Sequence, residues 1–475
     1  MRRDKVFGVL GRFLQVYGLL AFVPIPVAYL YSGLLRDPIT SFVAMGVVSL
    51  LIGTFMGYFG ETGDLSVKEA IVATIGGWML AVTIGAIPLA NYTTPLNAVF
   101  EAMAGMTTTG ISMFLEPSRL PRSVLFWRSF MQWIGGLGIL TFFIAVIRES
   151  GGISQRLFSA EADETDAGSI RPSLTKSIVD LWRVYGFVTS TMIFTYVALG
   201  MNFFNAIIHA FSALSTGGFS TSAASLAAFS PAIQAVTVPF MFVGGVNFVL
   251  LYLFLKTDWR KILKNAEFRM YSIIFLLLTG LTVFELSKNL STGQALLDGS
   301  FQAAALVSST GYSNMGIMEF STPLLVVFLS VMFVGGSLGS TAGGLKMFRF
   351  TVLIKLLKTK VRSYSLPESA VNRVTVDGEI ISYESIRTIS VLLFAWISFS
   401  FISSLLMMVL DGLTFMQALS SSISALGNMG PLYLSGEAVV NLSPGSKILL
   451  ILGMLAGRLE MLPLLAIFNR SVTKN

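Results

Sequence analysis

The chain has 475 residues, of which 54% are hydrophobic and 12% charged, and its net charge is +7. This composition excludes an ordinary soluble protein, because apolar runs of about 20 residues, long enough to cross a bilayer, recur along the chain. With no cysteine and one histidine, the chain cannot form disulfides or use a cysteine nucleophile, a His-based metal site is disfavoured, and no basic arm indicates nucleic acid binding.

In chain order, the apolar runs predict ten membrane spans. Two come first, at 7–31 and 38–60, and four pairs follow. The pairs are 67–90 with 121–148, 173–200 with 230–256, 267–289 with 322–350, and 384–410 with 445–468. Each pair encloses an apolar stretch too short to span, and these stretches are 95–109, 203–217, 296–310 and 415–429. The repeating unit is therefore a span, a short re-entrant helix, a turn and a second span.

These boundaries divide the chain into two N-terminal helices, within 1–62, and four repeats. The repeats are 63–150, 170–258, 265–360 and 380–475, with pore loops at 95–113, 203–221, 296–314 and 415–431. The predicted fold is an all-α integral membrane protein with ten transmembrane helices. Four parallel repeats, each a span, a pore loop and a second span (M1-P-M2), are expected to surround a pseudo-fourfold pore.

Lysine and arginine set the expected orientation. The loops 256–269 and 346–373 are rich in both and fall on the same side as the two termini. The positive-inside rule places that side in the cytoplasm, so the short helices enter from outside. Because every repeat makes two crossings, all four point the same way, which favours a pore over a transporter built on inverted repeats.

Each pore loop contains the same pattern. It consists of a polar residue, a small residue, eleven further residues and then a glycine. Its copies run from Asn97 to Gly110, Asn205 to Gly218, Asp298 to Gly311 and Gln417 to Gly430. A bare cation needs several oxygen ligands, which backbone carbonyls supply where glycine lets the chain aim them at one axis. The candidate cation-binding residues are Thr108, Thr109, Gly110, Thr216, Gly217, Gly218, Ser309, Thr310, Gly311, Asn428, Met429 and Gly430. One such turn could be an ordinary helix end, but four in register favour a pore.

Two adjacent glycines recur in the second span of the first three repeats, namely Gly135-Gly136, Gly244-Gly245 and Gly335-Gly336. In the fourth repeat the corresponding residues are Gly457-Arg458, so an arginine takes the place of the second glycine. An arginine at mid-membrane is costly and faces water or a partner. We interpret Arg458 as a positive barrier in the ion path, tuned by Glu460. The alternative is a local pair of Arg458 with Glu460 that joins helices.

The third repeat is unusually rich in glycine within its second predicted span. Five of the residues 335–344 are glycines, namely Gly335, Gly336, Gly339, Gly343 and Gly344. A span of this composition should break, and unwound backbone at membrane depth needs protein or cavity water around it. We interpret the segment as a gate beneath the turns, with a passive kink as the alternative.

Two polar side chains lie nine residues before the glycines of their turns. Glu101 could stabilise the first turn or attract cations, and an ordinary scaffold hydrogen bond is an equal alternative. His209 occupies the equivalent place in the second repeat and is interpreted as structural.

Taken together, three features resemble the Trk/Ktr/HKT superfamily of potassium transport proteins. They are the four turns, the glycine-rich break that ends in Ser-Thr-Ala-Gly-Gly-Leu-Lys346, and the stretch Gly457-Arg458-Leu459-Glu460. The two extra N-terminal spans make the chain more similar to the TrkH branch than to KtrB. The resemblance covers nearly the whole chain, although the fourth turn departs from the Thr-rich pattern of the others.

The resemblance implies K+ as the transported ion, held by carbonyls of the turns, with gating by 335–344 and Arg458. In the family, serine in place of the glycine of the first turn goes with sodium permeation, so Gly110 favours potassium. The resemblance also implies a homodimer and a separate cytoplasmic ring of the TrkA type that binds NAD(H) or ATP. This chain contains nothing that resembles a nucleotide site, so no cofactor is expected in it.

The sequence therefore predicts a potassium-selective uptake channel of a prokaryotic plasma membrane, surrounded by lipid, with both termini cytoplasmic. The alternative is a secondary transporter that couples K+ to H+ or Na+ and works by alternating access. A membrane enzyme is disfavoured, because paired mid-membrane carboxylates are scarce and cysteine is absent.

Overall fold

The protein is described here by a computed structural model over residues 2–467, except 33–38, 62, 64, 150–173, 257–258, 366 and 368–372. The first helices are α1 (Arg3–Leu20), α2 (Pro24–Ser32), α3 (Ile39–Tyr58), α4 (Val67–Gly85), α5 (Pro95–Met106) and α6 (Arg122–Glu149). The predicted second repeat contains α7 (Leu174–Ala198), α8 (Phe203–Leu214), α9 (Pro231–Gly244) and α10 (Phe248–Lys256), and α11 (Trp259–Lys264) lies between it and the third. The third contains α12 (Ala266–Leu286), α13 (Thr292–Val307), α14 (Thr322–Val334) and α15 (Met347–Ser363). The fourth contains α16 (Tyr383–Asp411), α17 (Phe415–Gly427), α18 (Gly436–Val440), α19 (Pro444–Leu459) and α20 (Met461–Ile467).

Several of these helices have the length and composition of membrane spans. Within the described residues, five segments qualify: Arg3–Tyr31, Ile39–Tyr58, Lys68–Gly85, Ala266–Leu286 and Tyr383–Asp411. A sixth qualifies if α9 and α10 count as one bent span. The structure is thus mostly helical with several apolar helices, and the full count of ten spans stays a prediction.

Four short helices, α5, α8, α13 and α17, precede the four turns. Each is capped at its N-terminus by a polar side chain that accepts a backbone N–H three residues on, and the caps are Thr94, Asn202, Ser291 and Thr414. A helix of 12 residues is about 18 Å long, which is well short of the hydrocarbon core. These helices therefore end inside the molecule. We call them pore helices.

The pore helices connect the repeats into a closed cycle. Besides packing against its own repeat, each pore helix packs against the second span of the preceding repeat: α8 against α6, α13 against α9, and α17 against α14. The cycle closes because α19, from the fourth repeat, packs against α5 of the first. This arrangement brings the C-terminal ends of all four pore helices toward one centre.

Three elements differ from the predicted layout. The segment 230–256 was predicted as one span, but it bends by 103° between α9 and α10, at Gly245–Asn247. The segment 445–468 is interrupted at Glu460, which has a left-handed φ of 64°. The fold is also not purely α-helical, because strands β1 (Thr375–Val376) and β2 (Glu379–Ile380) form a small antiparallel hairpin. Its turn residues Asp377 and Gly378 both have positive φ, as tight hairpin turns require.

Candidate ion pathway

The four turns that follow the pore helices share one backbone conformation. In each turn the final glycine has a positive φ, between 72° and 96°, and so does the residue two positions before it. The earlier positions are Thr108, Thr216, Ser309 and Asn428, with φ between 49° and 56°. The residue between the two has no positive φ. A β-branched residue in this region is rare and strained, and such strain is typical of functional sites.

The amide groups of the turns point back into the pore helices. Thr109 and Gly110 both donate their N–H groups to the carbonyl of Ala104, at 2.8 and 3.2 Å. Equivalent bonds join Gly217 and Gly218 to Ser212, Thr310 and Gly311 to Ala305, and Met429 to Ser424. Because the N–H groups are occupied on the helix side, the carbonyls of the turns are left to face elsewhere.

The four glycines lie around one axis, each against the next turn. A β-carbon built on Gly110 would lie 2.0 Å from the carbonyl oxygen of Gly217. The corresponding distances are 2.3 Å from Gly218 to Thr310, 2.2 Å from Gly311 to Met429, and 2.9 Å from Gly430 to Thr109. The chain of contacts runs through all four turns and returns to the first. The twelve residues predicted to bind a cation are thereby brought together in one ring. We call this ring the filter, a name taken from its predicted role.

A cavity of about 310 Å³ lies on one side of the filter, and all four filter glycines line it. Its wall includes Arg128, a buried residue of α6 that is 2% exposed. The guanidinium of Arg128 pairs with Glu101 at 2.6 Å and lies over the ring of Phe219, 4.2 Å from its centroid. Arg128 therefore joins the first pore helix to the turn of the second repeat, a role that no sequence pattern indicated.

Glu101 is consequently a structural anchor. It has no exposed surface, and its second oxygen accepts the N–H of Met113 at 2.6 Å, just after the first turn. His209 serves a similar purpose in the second repeat, with Nε2 3.0 Å from the hydroxyl of Ser220. Of the alternatives that the sequence left open for Glu101, the structure favours stabilisation of the turn, because the charge is already paired.

The glycine-rich segment of the third repeat lies against the other side of the filter. The helix breaks between Val334 and Met347, and we call residues 335–346 the inner loop. Three of its glycines, Gly335, Gly339 and Gly344, have positive φ, as does Lys346. Gly336 and Gly343 pack so closely that a β-carbon on either would lie within 2.4 Å of a neighbouring atom.

The inner loop contacts three of the four repeats directly. Thr341 donates its hydroxyl to the carbonyl of Leu214 at 2.9 Å, and the N–H of Gly343 donates to the hydroxyl of Ser309 at 2.7 Å. Gly343 also packs against the carbonyl of Gly427, at the end of the fourth pore helix. The loop thus crosses beneath the second, third and fourth turns. The hydroxyl oxygen of Thr108, in the first turn, is buried with no hydrogen-bond partner among the described residues.

Arg458 closes the remaining side. Its guanidinium donates to the carbonyl of Thr341 at 2.9 Å and to the carbonyl of Gly135 at 2.8 Å. Its side chain is buried, with 2% exposed. The two hydrogen bonds bridge the inner loop to the first repeat. Glu460 does not pair with Arg458, because Glu460 binds Arg349 at 2.6 Å. The local Arg458–Glu460 pair considered from the sequence is therefore wrong.

Two further residues fix the inner loop, and neither was predicted from the sequence. Glu267, buried at the start of α12, accepts the N–H groups of Leu338 at 2.7 Å and Phe348 at 3.0 Å. Asn247, at the bend between α9 and α10, lies against Gly339. The one sequence feature that could have indicated Glu267 is its position as a carboxylate at the start of a predicted span. No pattern in the sequence distinguishes Asn247.

Comparison with known proteins decides the family. A family model described as TrkH, cation transport protein, matches residues 39–473, which is most of the chain. The chain belongs to the TrkH family of cation transport proteins. The resemblance drawn from the filter turns and the inner loop is thereby confirmed, and the TrkH family is a transporter family and not an enzyme class.

Relatives of the TrkH family match over nearly their whole length. The chain is 28% identical to an uncharacterized cation transporter of Methanocaldococcus jannaschii, over 98% of this chain and 95% of that protein. It is 29% identical to the Trk system potassium uptake protein TrkH of Escherichia coli K12, over 90% of each. The crystal structure of the potassium transporter TrkH from Vibrio parahaemolyticus superimposes with a TM-score of 0.89 at 26% identity, covering 99% of this chain and 100% of that one.

Proposed function

We propose that this protein conducts K+ inward through the axis of the filter, as a potassium-selective uptake channel of a prokaryotic plasma membrane. The observation that carries the proposal is the closed ring of four turns, in which Gly110, Gly218, Gly311 and Gly430 each abut the carbonyl of another turn. Backbone carbonyls can replace the water around a cation without a titratable charge. The similarity to the E. coli relative, a potassium uptake protein, supports K+ as the ion.

The pore helices add to the preference for a cation. The C-terminal end of each pore helix lies at the start of its filter turn, where the partial negative charge of the helix dipole is greatest. Four such ends directed at one centre favour a positive ion over an anion.

The inner loop and Arg458 are proposed to form the gate. The loop crosses three repeats beneath the filter, and Arg458 joins it to the fourth side through Gly135. A fixed positive charge beneath the filter repels a cation, so this arrangement corresponds to a closed path. Opening requires that the two hydrogen bonds of Arg458 break.

Assembly is proposed from the family resemblance. We propose a homodimer, and a separate cytoplasmic ring of the TrkA type that binds NAD(H) or ATP and acts on the gate from the side of the two termini. The basic residues of the loops 256–269 and 346–373 support a cytoplasmic location for that side.

The test is ion flux from proteoliposomes that contain the purified chain, measured in K+, Rb+ and Na+, with and without the candidate cytoplasmic subunit. We expect K+ and Rb+ flux well above Na+ flux, rising when the subunit and its nucleotide are added. Equal K+ and Na+ flux would refute the filter assignment. Flux that saturates with K+ and follows an imposed H+ or Na+ gradient would favour the coupled transporter instead.

A further inference from the structure

One buried side chain binds the filter from a neighbouring repeat. Gln132 lies on α6 of the first repeat and has no exposed surface. Its amide nitrogen donates to the carbonyl oxygen of Gly217 at 2.6 Å, and its amide oxygen accepts the N–H of Phe219 at 3.3 Å. Both partners flank Gly218, so one side chain holds the backbone on either side of a filter glycine.

The other repeats have no such side chain at this position. Gln132 lies three residues before Gly135, the first small residue of the motif in its span. The residues three positions before the corresponding glycines are Met241, Met332 and Met454. Methionine has nearly the shape of glutamine, but its thioether has no hydrogen to donate. A side chain that can both donate to and accept from the filter backbone is therefore present at one of the four equivalent positions.

The second turn has a matching difference in its own sequence. Where the other turns have Thr109, Thr310 and Met429, this turn has Gly217. A β-carbon at Gly217 would lie 2.3 Å from the amide carbon of Gln132. The backbone conformation does not demand glycine here, because Gly217 lacks a positive φ. The absence of a side chain at 217 and the presence of the amide at 132 are therefore complementary.

We propose that Gln132 is a specificity-determining positioning residue of the filter. This inference rests on the proposed function of the filter. By donating to the Gly217 carbonyl, Gln132 prevents that oxygen from moving inward to follow a smaller ion, and it withdraws part of the oxygen's negative charge. Both effects disfavour Na+, which needs closer and stronger ligands than K+. One fixed carbonyl of reduced strength thus sets the preference for the larger ion.

The first experiment is Gln132→Met, which gives the first repeat the residue that the other three already have. Wild type and variant are purified, checked for a single monodisperse peak, and compared by reversal potential in opposing K+ and Na+ solutions. We expect the K+ over Na+ permeability ratio to fall about fivefold, which corresponds to about 1 kcal/mol, while K+ flux persists. Met241→Leu, a change at the equivalent position that removes no donor, should leave the ratio unchanged.

The second experiment keeps the inference testable if Gln132→Met folds poorly. Gly217→Thr alone should abolish K+ flux, because the new side chain overlaps the amide of Gln132. The double variant Gly217→Thr with Gln132→Met reproduces the combination found in other repeats, and it should recover flux with the lowered ratio. Such strong non-additivity is expected only if the two positions are coupled.

The outcomes separate this inference from the proposed function. If the wild-type chain does not discriminate K+ from Na+, the filter proposal itself fails. If the wild type is selective and Gln132→Met has the same ratio, the role of Gln132 is refuted. A double variant as inactive as Gly217→Thr would contradict the proposed complementarity of the two positions.

Discussion

Serine in place of Gly110 gives a graded test of the filter, because the four glycines are not equally crowded. All four have positive φ, so an L-residue at any of them bears a similar conformational cost of about 1–2 kcal/mol. The crowding differs: the β-carbon would lie 2.0 Å from the Gly217 carbonyl oxygen at Gly110, but 2.9 Å from the Thr109 carbonyl oxygen at Gly430. Gly430→Ser is therefore a matched control.

The magnitude follows from these distances. Real β-carbons essentially never approach an oxygen within 3.0 Å, so Gly110→Ser must displace the Gly217 carbonyl by about 1 Å, whereas Gly430→Ser needs a few tenths of an ångström. A displacement of about 1 Å removes one oxygen from the ring. A hydrogen bond to a charged group contributes about 1.5–3 kcal/mol, and a carbonyl contact of similar size that is lost for K+ but not for the smaller Na+ changes selectivity by about tenfold or more.

The assay is the reversal potential of purified protein in a planar bilayer with K+ on one side and Na+ on the other. We expect Gly110→Ser to admit Na+, with a K+ over Na+ ratio at least about tenfold lower, and Gly430→Ser to show a clearly smaller change. Both proteins must first pass the same test of monodispersity. Equal losses of selectivity at the two positions, or an unchanged ratio in Gly110→Ser, would refute the reasoning from crowding.

Three other predictions concern the supports of the pathway. Arg458→Ala removes both bridging hydrogen bonds and should raise K+ flux without the cytoplasmic subunit; normal flux would argue against the gate. Glu101→Ala leaves the Arg128 guanidinium buried without its counter-charge and should lower stability by about 3–5 kcal/mol, seen as a lower melting temperature in detergent; an unchanged melting temperature would contradict the anchor. Glu267→Gln weakens the two N–H bonds that hold the inner loop and should also raise basal flux, and tight closure in that variant would show that the loop is held by other contacts.

Much of the pathway could be predicted because it depends on repetition. A glycine such as Gly110 is required where the chain turns left-handed against a neighbouring carbonyl, and the same requirement arises in all four turns. Four matching turns between apolar runs were therefore enough to predict that the turns meet and to indicate the family. The inner loop was recognisable for a related reason, since so dense a run of glycine is incompatible with a continuous helix.

The features that the sequence did not predict are those in which one repeat differs from the others. The bend at Gly245–Asn247 follows a Gly-Gly pair that α6 also contains without breaking, so the pair alone cannot distinguish a bent helix from a continuous one. The third pore helix, capped by Ser291, begins about one turn farther from the glycine of its turn than the first pore helix does. Asp298 therefore lies inside the third pore helix, whereas Asn97 lies in the first turn of the first one. Such differences depend on contacts between repeats, which a single sequence does not reveal.

The fourth turn illustrates how a departure from the pattern can preserve the geometry. Asn428 occupies the left-handed position that Thr108, Thr216 and Ser309 fill in the other turns. Asparagine adopts this conformation more readily than a β-branched residue, so the change lowers local strain. Its amide nitrogen also donates to the hydroxyl of Thr109 at 2.9 Å, which links the fourth turn to the first. The fourth turn therefore adopts the same conformation as the others, with an asparagine in place of a threonine or serine.

The contacts of the inner loop imply that gate and filter are mechanically coupled. The loop does not simply lie beneath the turns, because Gly343 donates to the hydroxyl of Ser309, one of the left-handed residues of the filter. Thr341, on the same loop, accepts Arg458 through its carbonyl and donates its hydroxyl to Leu214, at the end of the second pore helix. A movement that releases Arg458 must therefore pull on two filter turns at once. Since a carbonyl ring discriminates ions by the position and freedom of its oxygens, the closed and open states of this protein should differ in ion preference as well as in flux.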